Sequence, residues 1–75
     1  MSVFDLKAGD RAVIKKINIS GVAGQRLSSL GITAGKRISV LAFSLFKSGV
    51  LINCGAVRLG IRKALAENIE VEQCI

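Results

Sequence analysis

The chain contains no histidine, tryptophan, tyrosine or proline, and only five of its 75 residues carry a carboxylate side chain. Histidine is the side chain that most often moves protons near neutral pH, so the usual acid–base chemistry of an enzyme lacks its main carrier. The three phenylalanines are the only aromatic residues, which is little for stacking nucleic-acid bases or lining a proline-rich-peptide groove. These absences predict a protein that is not an enzyme and acts by binding.

The apolar residues, which make up 51% of the chain, occur in short runs. No uncharged stretch approaches the roughly 18 residues that indicate a membrane-spanning helix, and the richest, residues 38–46, is about half that length. The N-terminus lacks a basic region followed by an apolar core, which is the pattern of a secretory signal. We therefore expect residues 1–75 to form a single cytoplasmic domain.

The formal net charge is +6, which implies affinity for an acidic surface such as nucleic acid, anionic lipid or an acidic partner protein. The basic residues are scattered along the chain, and this favours solubility and general electrostatic steering over a dedicated polyanion site. No nucleic-acid partner is therefore expected, although the charge keeps a basic nucleic-acid-binding barrel as the main alternative. The small basic clusters are Arg11 with Lys15 and Lys16, Lys36 with Arg37, and Arg62 with Lys63.

The two cysteines, Cys54 and Cys74, lie far apart and have no close cysteine or histidine neighbour. A tetrahedral metal site needs about four ligands, usually including such a close pair. Cys74 with Glu70 or Glu72 would supply only two, so transition-metal binding stays a candidate property, but no metal site or cofactor is predicted. We expect free thiols, with Cys54 in the core and Cys74 exposed near the C-terminus.

Residues 26–40 predict the end of a helix, a tight turn and the start of a strand with hardly a spare residue. Gly31 stands where a helix needs a left-handed residue after its cap, and Ile32 is then placed to pack back onto Leu27. Gly35 occupies the third position of a type II turn, which requires a positive φ. Alternation of apolar and polar residues begins directly after this turn and indicates a strand.

The rest of the chain alternates in the same way and predicts five short strands. The first strand has a one-residue slip in its apolar phase at Lys15-Lys16, which a β-bulge would absorb. Strongly bent strands with one small helix after the first indicate a mainly β, partly open barrel, SH3-like or OB-like. The predicted elements are a strand at 11–19, a helix at 23–30, strands at 36–44, 50–54 and about 57–61, a helical turn at 62–67 and a last strand containing Ile69 and Val71.

A second pattern of glycines and aliphatic residues comprises Leu59-Gly60-Ile61-Arg62, Ala66 and Ile69-Glu70-Val71, with Leu6, Gly9, Ile14 and Ile17 at the opening. Together with residues 26–40, this pattern resembles the FeoA family of small cytosolic proteins that accompany the bacterial ferrous-iron transporter FeoB. One departure is Ala34-Gly35, where the family's turn usually reads Pro-Gly. The resemblance implies an SH3-like barrel and a non-enzymatic accessory or regulatory role in ferrous iron uptake. It also implies docking on the cytosolic, GTPase-containing region of FeoB, with the membrane reached only through the transporter.

The second strand is apolar on both faces, which is unusual for a strand with one solvated side. We expect Ile38, Val40 and Ala42 on the buried face, so that Leu41 and Phe43 lie opposite. Those two side chains either form an exposed patch or lie under the helix or the N-terminal segment, for which Val3 and Phe4 are plausible covers.

An exposed apolar patch marks a site for a partner. We expect one beside the hairpin turn predicted at residues 47–49, and Phe46 is a candidate for the end of the second strand. The predicted partner-binding residues are Phe43, Leu45, Phe46 and Lys47. Besides the nucleic-acid-binding barrel, a third hypothesis is a detached metal-sensing module, because the same SH3-like domain occurs in metal-dependent repressors. The oligomeric state is not predicted.

Overall fold

The computed structural model describes residues 1–74, which contain five strands, two α-helices and two 3-10 turns. In chain order these are the 3-10 turn Val3–Asp5, β1 (Arg11–Ile17), α1 (Gly21–Ser29), β2 (Arg37–Phe43), the 3-10 turn Leu45–Lys47, β3 (Gly49–Cys54), β4 (Val57–Arg62), α2 (Lys63–Ala66) and β5 (Ile69–Gln73). The strands pair antiparallel in the order β4-β3-β2-β1-β5. This confirms the predicted mainly β, partly open architecture with a helix inserted after the first strand.

The β-bulge predicted in the first strand is present. Ile14 pairs with Val71 of β5 and Lys16 pairs with Glu70, so Lys15 is the extra residue between them. The bulge lets Ile14 and Ile17 both turn toward the core although they are an odd number of positions apart.

A second bulge, in β2, was not predicted and corrects the expected faces of that strand. Val40 pairs with Ile52 of β3, whereas Ala42 pairs with Leu51, so the register shifts at Leu41. Val40 is buried, but beyond the shift Ala42 is exposed. The prediction that Ala42 shares the buried face was therefore wrong, because an extra residue reverses the side-chain alternation of everything that follows it.

The end of α1 forms the predicted cap. The N–H of Ile32 donates to the carbonyl of Leu27 at 2.9 Å and the N–H of Gly31 donates to that of Ser28 at 3.0 Å, the two bonds of a Schellman motif. Gly31 has a φ of +83°, and both Leu27 and Ile32 are buried. Gly35 has a φ of +92°, so the predicted turn is confirmed as well.

The core lies between the sheet, α1, α2 and the N-terminal segment, and it contains no polar side chain among the described residues. Within residues 1–74, no helix has the length and apolar character needed to cross a membrane. The buried side chains are Val3, Leu6, Ala12, Ile14, Leu27, Ile32, Ile38, Val40, Val50, Ile52, Cys54, Ile61, Ala66, Ile69 and Val71.

The two cysteines are free thiols in different environments. Cys54 is buried in the core, as predicted. Cys74 is half-buried and not exposed, which corrects the prediction. Its N–H donates to the carbonyl of Arg11 at 2.8 Å and extends the pairing of β5 with β1.

Candidate protein-docking site

The loop between β2 and β3, residues 44–48, is longer than the hairpin turn predicted at residues 47–49, and Gly49 already begins β3. Its ends are held by Ser44, whose Oγ accepts the N–H of Gly49 at 2.7 Å and lies 2.9 Å from the Oγ of Ser48. The N–H of Ser44 donates to the carbonyl of Gly49 at 3.0 Å, and the N–H of Lys47 donates to that of Ser44 at 2.8 Å. The loop is therefore closed by its own hydrogen bonds.

The middle of this loop has an unusual backbone. Phe46 and Lys47 have φ values of +63° and +53°, and they are the only non-glycine residues of the described chain with a positive φ. Such a conformation costs about 1–3 kcal/mol for a residue with a side chain, and the closing hydrogen bonds must hold it. The consequence is that Leu45 and Phe46 point into solvent, with 80% and 93% of their surface exposed. Phe46 was a candidate for the end of the second strand, but β2 ends at Phe43 and Phe46 lies outside it.

Phe43 and Lys47 belong to a different part of the same surface. The rings of Phe43 and Phe4 meet edge to face, with centroids 5.4 Å apart. The Nζ of Lys47 lies 4.6 Å from the Phe43 centroid and 5.3 Å from the Phe4 centroid, and the Nζ of Lys63 lies 5.6 Å from the Phe4 centroid. Each cation–π contact of this kind contributes about 0.5–1 kcal/mol at an exposed site. Phe4 therefore covers Phe43, as one of the two sequence interpretations had it, whereas Leu41 is exposed, as the other had it.

The four residues predicted to bind a partner thus fall into two groups: an exposed apolar tip of the loop and a positively charged base below it. The tip is Leu45 and Phe46; the base is Phe43 with Lys47, completed by Phe4 and Lys63. Phe4 was considered in the sequence only as a cover, and Lys63 was missed, because nothing in the spacing of residues so far apart indicates that they meet.

The base carries positive charge that the described part of the chain leaves available. Among residues 1–74, the one ion pair joins Lys15 Nζ to a carboxylate oxygen of Glu72 at 3.4 Å, and both side chains are largely exposed. Lys47 and Lys63 therefore present two ammonium groups next to an apolar tip, a combination that suits a partner with both apolar and acidic groups.

The residues considered for metal binding do not come together as a ligand set. No group of three or more cysteine or carboxylate side chains that could hold a metal ion occurs within the described residues. Glu72 is engaged by Lys15, and Cys74 lines a small pocket with Arg11 and Arg37, whose charges disfavour a cation.

The architecture is that of a small SH3-like domain, and the comparison with known proteins agrees. The FeoA protein of Stenotrophomonas maltophilia in complex with zinc, described as an SH3 domain protein, superimposes with a TM-score of 0.82 over 96% of this chain and 89% of that chain. Its identity is 21%, so this likeness shows the fold alone.

The family follows from the sequence comparison. A model of the FeoA domain matches residues 1–73, so the chain belongs to the FeoA family, which is associated with ferrous iron transport. The solution structure of the FeoA protein from Chlorobium tepidum is 32% identical, with a TM-score of 0.94 over 100% of this chain and 71% of that chain. A crystal structure of an iron uptake regulatory protein, FeoA, is 30% identical, with a TM-score of 0.83 over 99% of this chain and 96% of that chain. No curated protein matches the chain.

Proposed function

We propose that residues 1–75 act as one FeoA-like domain, a non-enzymatic cytoplasmic accessory protein of ferrous iron uptake. It docks on the cytosolic, GTPase-containing region of an FeoB transporter and regulates that transporter by surface contact. Membership of a family associated with ferrous iron transport supports the pathway. The observation that carries the docking is the exposure of Leu45 and Phe46 at the tip of a loop whose backbone is strained.

The tip has the chemistry of an interface anchor. An aromatic side chain that a partner buries contributes about 1.5–3 kcal/mol through the hydrophobic effect alone, and such anchors dominate binding energies. A free domain gains nothing from exposing Phe46 on a strained backbone, whereas a bound one recovers that cost. This supports Leu45 and Phe46 as the central contacts.

The base contributes orientation and speed of association. Lys47 is held over Phe43 and Phe4 by cation–π contacts, so its charge is presented at a fixed place beside the tip. Charges at the rim of an interface mainly raise the association rate and select partners of opposite charge. We therefore expect the docking surface of the transporter to carry acidic side chains around an apolar pocket.

The same features speak against a nucleic-acid partner. Two of the three phenyl rings, those of Phe4 and Phe43, contact each other edge to face, so in the described structure Phe46 is the ring left exposed to stack on a nucleic-acid base. Binding to phosphates would fall steeply and log-linearly with salt concentration, whereas an apolar anchor responds weakly.

The proposal is tested by titrating the purified protein with the cytosolic region of FeoB from the same organism, without nucleotide, with GDP and with a GTP analogue. We expect saturable binding at physiological salt that weakens at least about tenfold in Phe46→Asp, the loss of one anchor. Val22→Asp is the matched control, because Val22 is 66% exposed on α1; its affinity stays within about twofold.

Circular dichroism verifies that both variants remain folded. Equal affinity of Phe46→Asp and the wild type would keep the partner and discard the surface. The absence of binding under every nucleotide condition would refute docking on the transporter, and a steep salt dependence would favour the nucleic-acid alternative.

A further inference from the structure

The two end strands of the sheet differ in how their outer edges are treated. The outer edge of β5 is closed by the N-terminus: the N–H of Val71 donates to the carbonyl of Met1 at 2.8 Å, and Ser2 bridges to Glu70. Within residues 1–74, β4 pairs with β3 and with no other strand. An edge of this kind presents a row of backbone groups to any extended chain that approaches it.

The register shows which backbone groups of β4 point outward. The N–H of Lys63 donates to the carbonyl of Ser48 at 2.9 Å, which makes these two residues a hydrogen-bonded pair next to the strands. Because such pairs alternate in an antiparallel ladder, Val57, Leu59 and Ile61 direct their N–H and C=O groups toward β3. The outward groups therefore belong to Arg58 and Gly60, together with the N–H of Arg62. The carbonyl of Arg62, the N-cap residue of α2, accepts the first hydrogen bond of that helix.

Gly60 is the one glycine of the chain for which the domain itself gives no reason. Five of the eight glycines have a positive φ. Of the other three, a Cβ on Gly24 would collide with the carbonyl of Ile19, and one on Gly49 would lie 3.1 Å from the carbonyl oxygen of Ile61. Within the described part of the chain, a Cβ on Gly60 would meet nothing within 4 Å.

Glycine inside a strand costs about 0.5–1 kcal/mol relative to alanine. A strand glycine often marks a bulge, a bend at a barrel corner or a place where another backbone approaches closely, and β4 pairs with β3 through Gly60 without a register shift. This leaves close approach of another backbone as an explanation for Gly60 on the unpaired edge strand.

A groove of about 490 Å³ runs beside this edge, between β4, α1 and α2. Its walls include Leu30, Leu59 and Leu65, and two arginines, Arg26 and Arg62, also line it. Among residues 1–74, no carboxylate side chain lines the groove. The site thus combines unpaired backbone groups, an apolar wall and positive charge.

We propose that the β4 edge binds an extended segment of a partner protein, with acidic and apolar residues in alternation, as a sixth strand in this groove. The outward backbone groups of Arg58 and Gly60 and the N–H of Arg62 pair with the segment. Its apolar side chains contact the leucines, and its carboxylates lie near the arginines. This is strand addition, in which backbone hydrogen bonds supply affinity and side-chain pockets supply selectivity.

The charges disfavour a second copy of this chain as the occupant. Two β4 strands pairing antiparallel about Gly60 would place Arg58 of one copy opposite Arg62 of the other. Like charges directly opposite across a ladder are destabilising. An acidic strand of another protein meets the same two positions with complementary charge. This surface uses residues other than the tip and base of the loop, and the proposal does not depend on docking at that loop.

The test uses the full chain, labelled with ¹⁵N, and a blocked hexapeptide of alternating glutamate and valine. Amide shifts and hydrogen exchange are followed by NMR. We expect the peptide to shift and protect the amides of Arg58, Gly60 and Arg62, whereas a hexapeptide of alternating lysine and valine leaves them unchanged.

Two variants locate the interaction. Arg62→Glu weakens binding of the glutamate–valine peptide about tenfold by reversing the charge at the groove; the matched control Arg37→Glu, an exposed arginine on β2, changes it less than about twofold.

The proposal is overturned if the glutamate–valine peptide produces no saturable shift, or if the lysine–valine peptide binds equally well. Shifts confined to residues 44–48 would overturn it by placing the acidic segment on the loop. Protection of the three β4 amides that grows with protein concentration and needs no peptide would identify a second copy as the occupant instead.

Discussion

The two connections that flank β2 both contain residues with a positive φ, but they place different types of residue there. Between α1 and β2, both residues with a positive φ are glycines, Gly31 and Gly35, and the intervening Ile32 is completely buried. Between β2 and β3, the positive φ values fall on Phe46 and Lys47, and the neighbouring Leu45 is exposed. The first connection stabilises the fold, and the second displays side chains at a cost in stability.

This contrast separates what a residue does for the domain from what it does for a partner. A glycine at a positive φ lowers the energy of the folded state, since no Cβ clashes. A phenylalanine at such a position raises it and gains nothing from packing when it is 93% exposed. The difference makes the α1–β2 connection the better target for stability experiments and the β2–β3 loop the better target for binding experiments.

The largest effect is expected from shortening an aliphatic side chain in each connection. Ile32→Ala removes packing at a site with no exposed surface, and we expect the free energy of unfolding to fall by about 2–5 kcal/mol. Leu45→Ala is the matched change in the other connection, at 80% exposure, and we expect a change within about 0.5 kcal/mol. Urea denaturation measures both. A similar fall in the free energy of unfolding of the two variants would contradict the conclusion that the α1–β2 connection stabilises the fold and the β2–β3 loop does not.

A smaller effect on stability is expected from changing the residues that have a positive φ: a glycine is replaced in the first connection, and a glycine is introduced in the second. Gly31→Ala places a Cβ at a φ of +83°, and we expect it to destabilise the fold by about 1–2 kcal/mol. In the other connection, Phe46→Gly and Phe46→Ala both remove the ring. Phe46→Gly is expected to be the more stable of the two by about 0.5–1 kcal/mol, because glycine tolerates the left-handed conformation.

The comparison of Phe46→Gly with Phe46→Ala isolates backbone strain from the loss of the aromatic side chain. Equal unfolding free energies for these two variants would show that Phe46 is not held in a left-handed conformation in solution. In the FeoB docking assay, both variants should bind more weakly than the wild type, because both lack the aromatic ring. Their difference in affinity from the wild type therefore measures the contribution of the Phe46 side chain.

The features that could be predicted from the sequence are those in which a local rule dictates the residue. Gly31 and Gly35 could be placed because only a few backbone conformations need glycine, and their spacing from Leu27 defines the cap and the turn. The β1 bulge could be placed because the apolar phase slips visibly at Lys15-Lys16. The β2 bulge at Leu41 could not be predicted. A bulge is visible in a sequence only as a shift in the alternation of apolar and polar residues, and a strand that is apolar on both faces has no such alternation.

The candidate docking site was predictable only in part for the same reason. Leu45 and Phe46 are apolar residues next to a turn, where polar residues are expected, and this local anomaly singled them out. Their exposure depends on a positive φ at Phe46, and this conformation could not be predicted because the position is not a glycine. The cluster of Phe4, Phe43, Lys47 and Lys63 is a tertiary contact among side chains distant in sequence, and the open edge at Gly60 becomes visible only once the strand order is known.

The smallest effect concerns the charge at the base of the loop. Lys47→Met keeps most of the aliphatic chain over Phe4 and Phe43 and removes the ammonium group, so we expect a loss of about 0.5–1 kcal/mol from the cation–π contacts. Lys36→Met, at an exposed lysine in the α1–β2 turn that lies over no ring in the described structure, is expected to change stability by less than about 0.5 kcal/mol. Equal effects would mean that the rings do not hold Lys47. If the contact holds, Lys47→Met should also slow association with an acidic partner while leaving dissociation nearly unchanged, because a rim charge steers encounter and the apolar tip retains the complex.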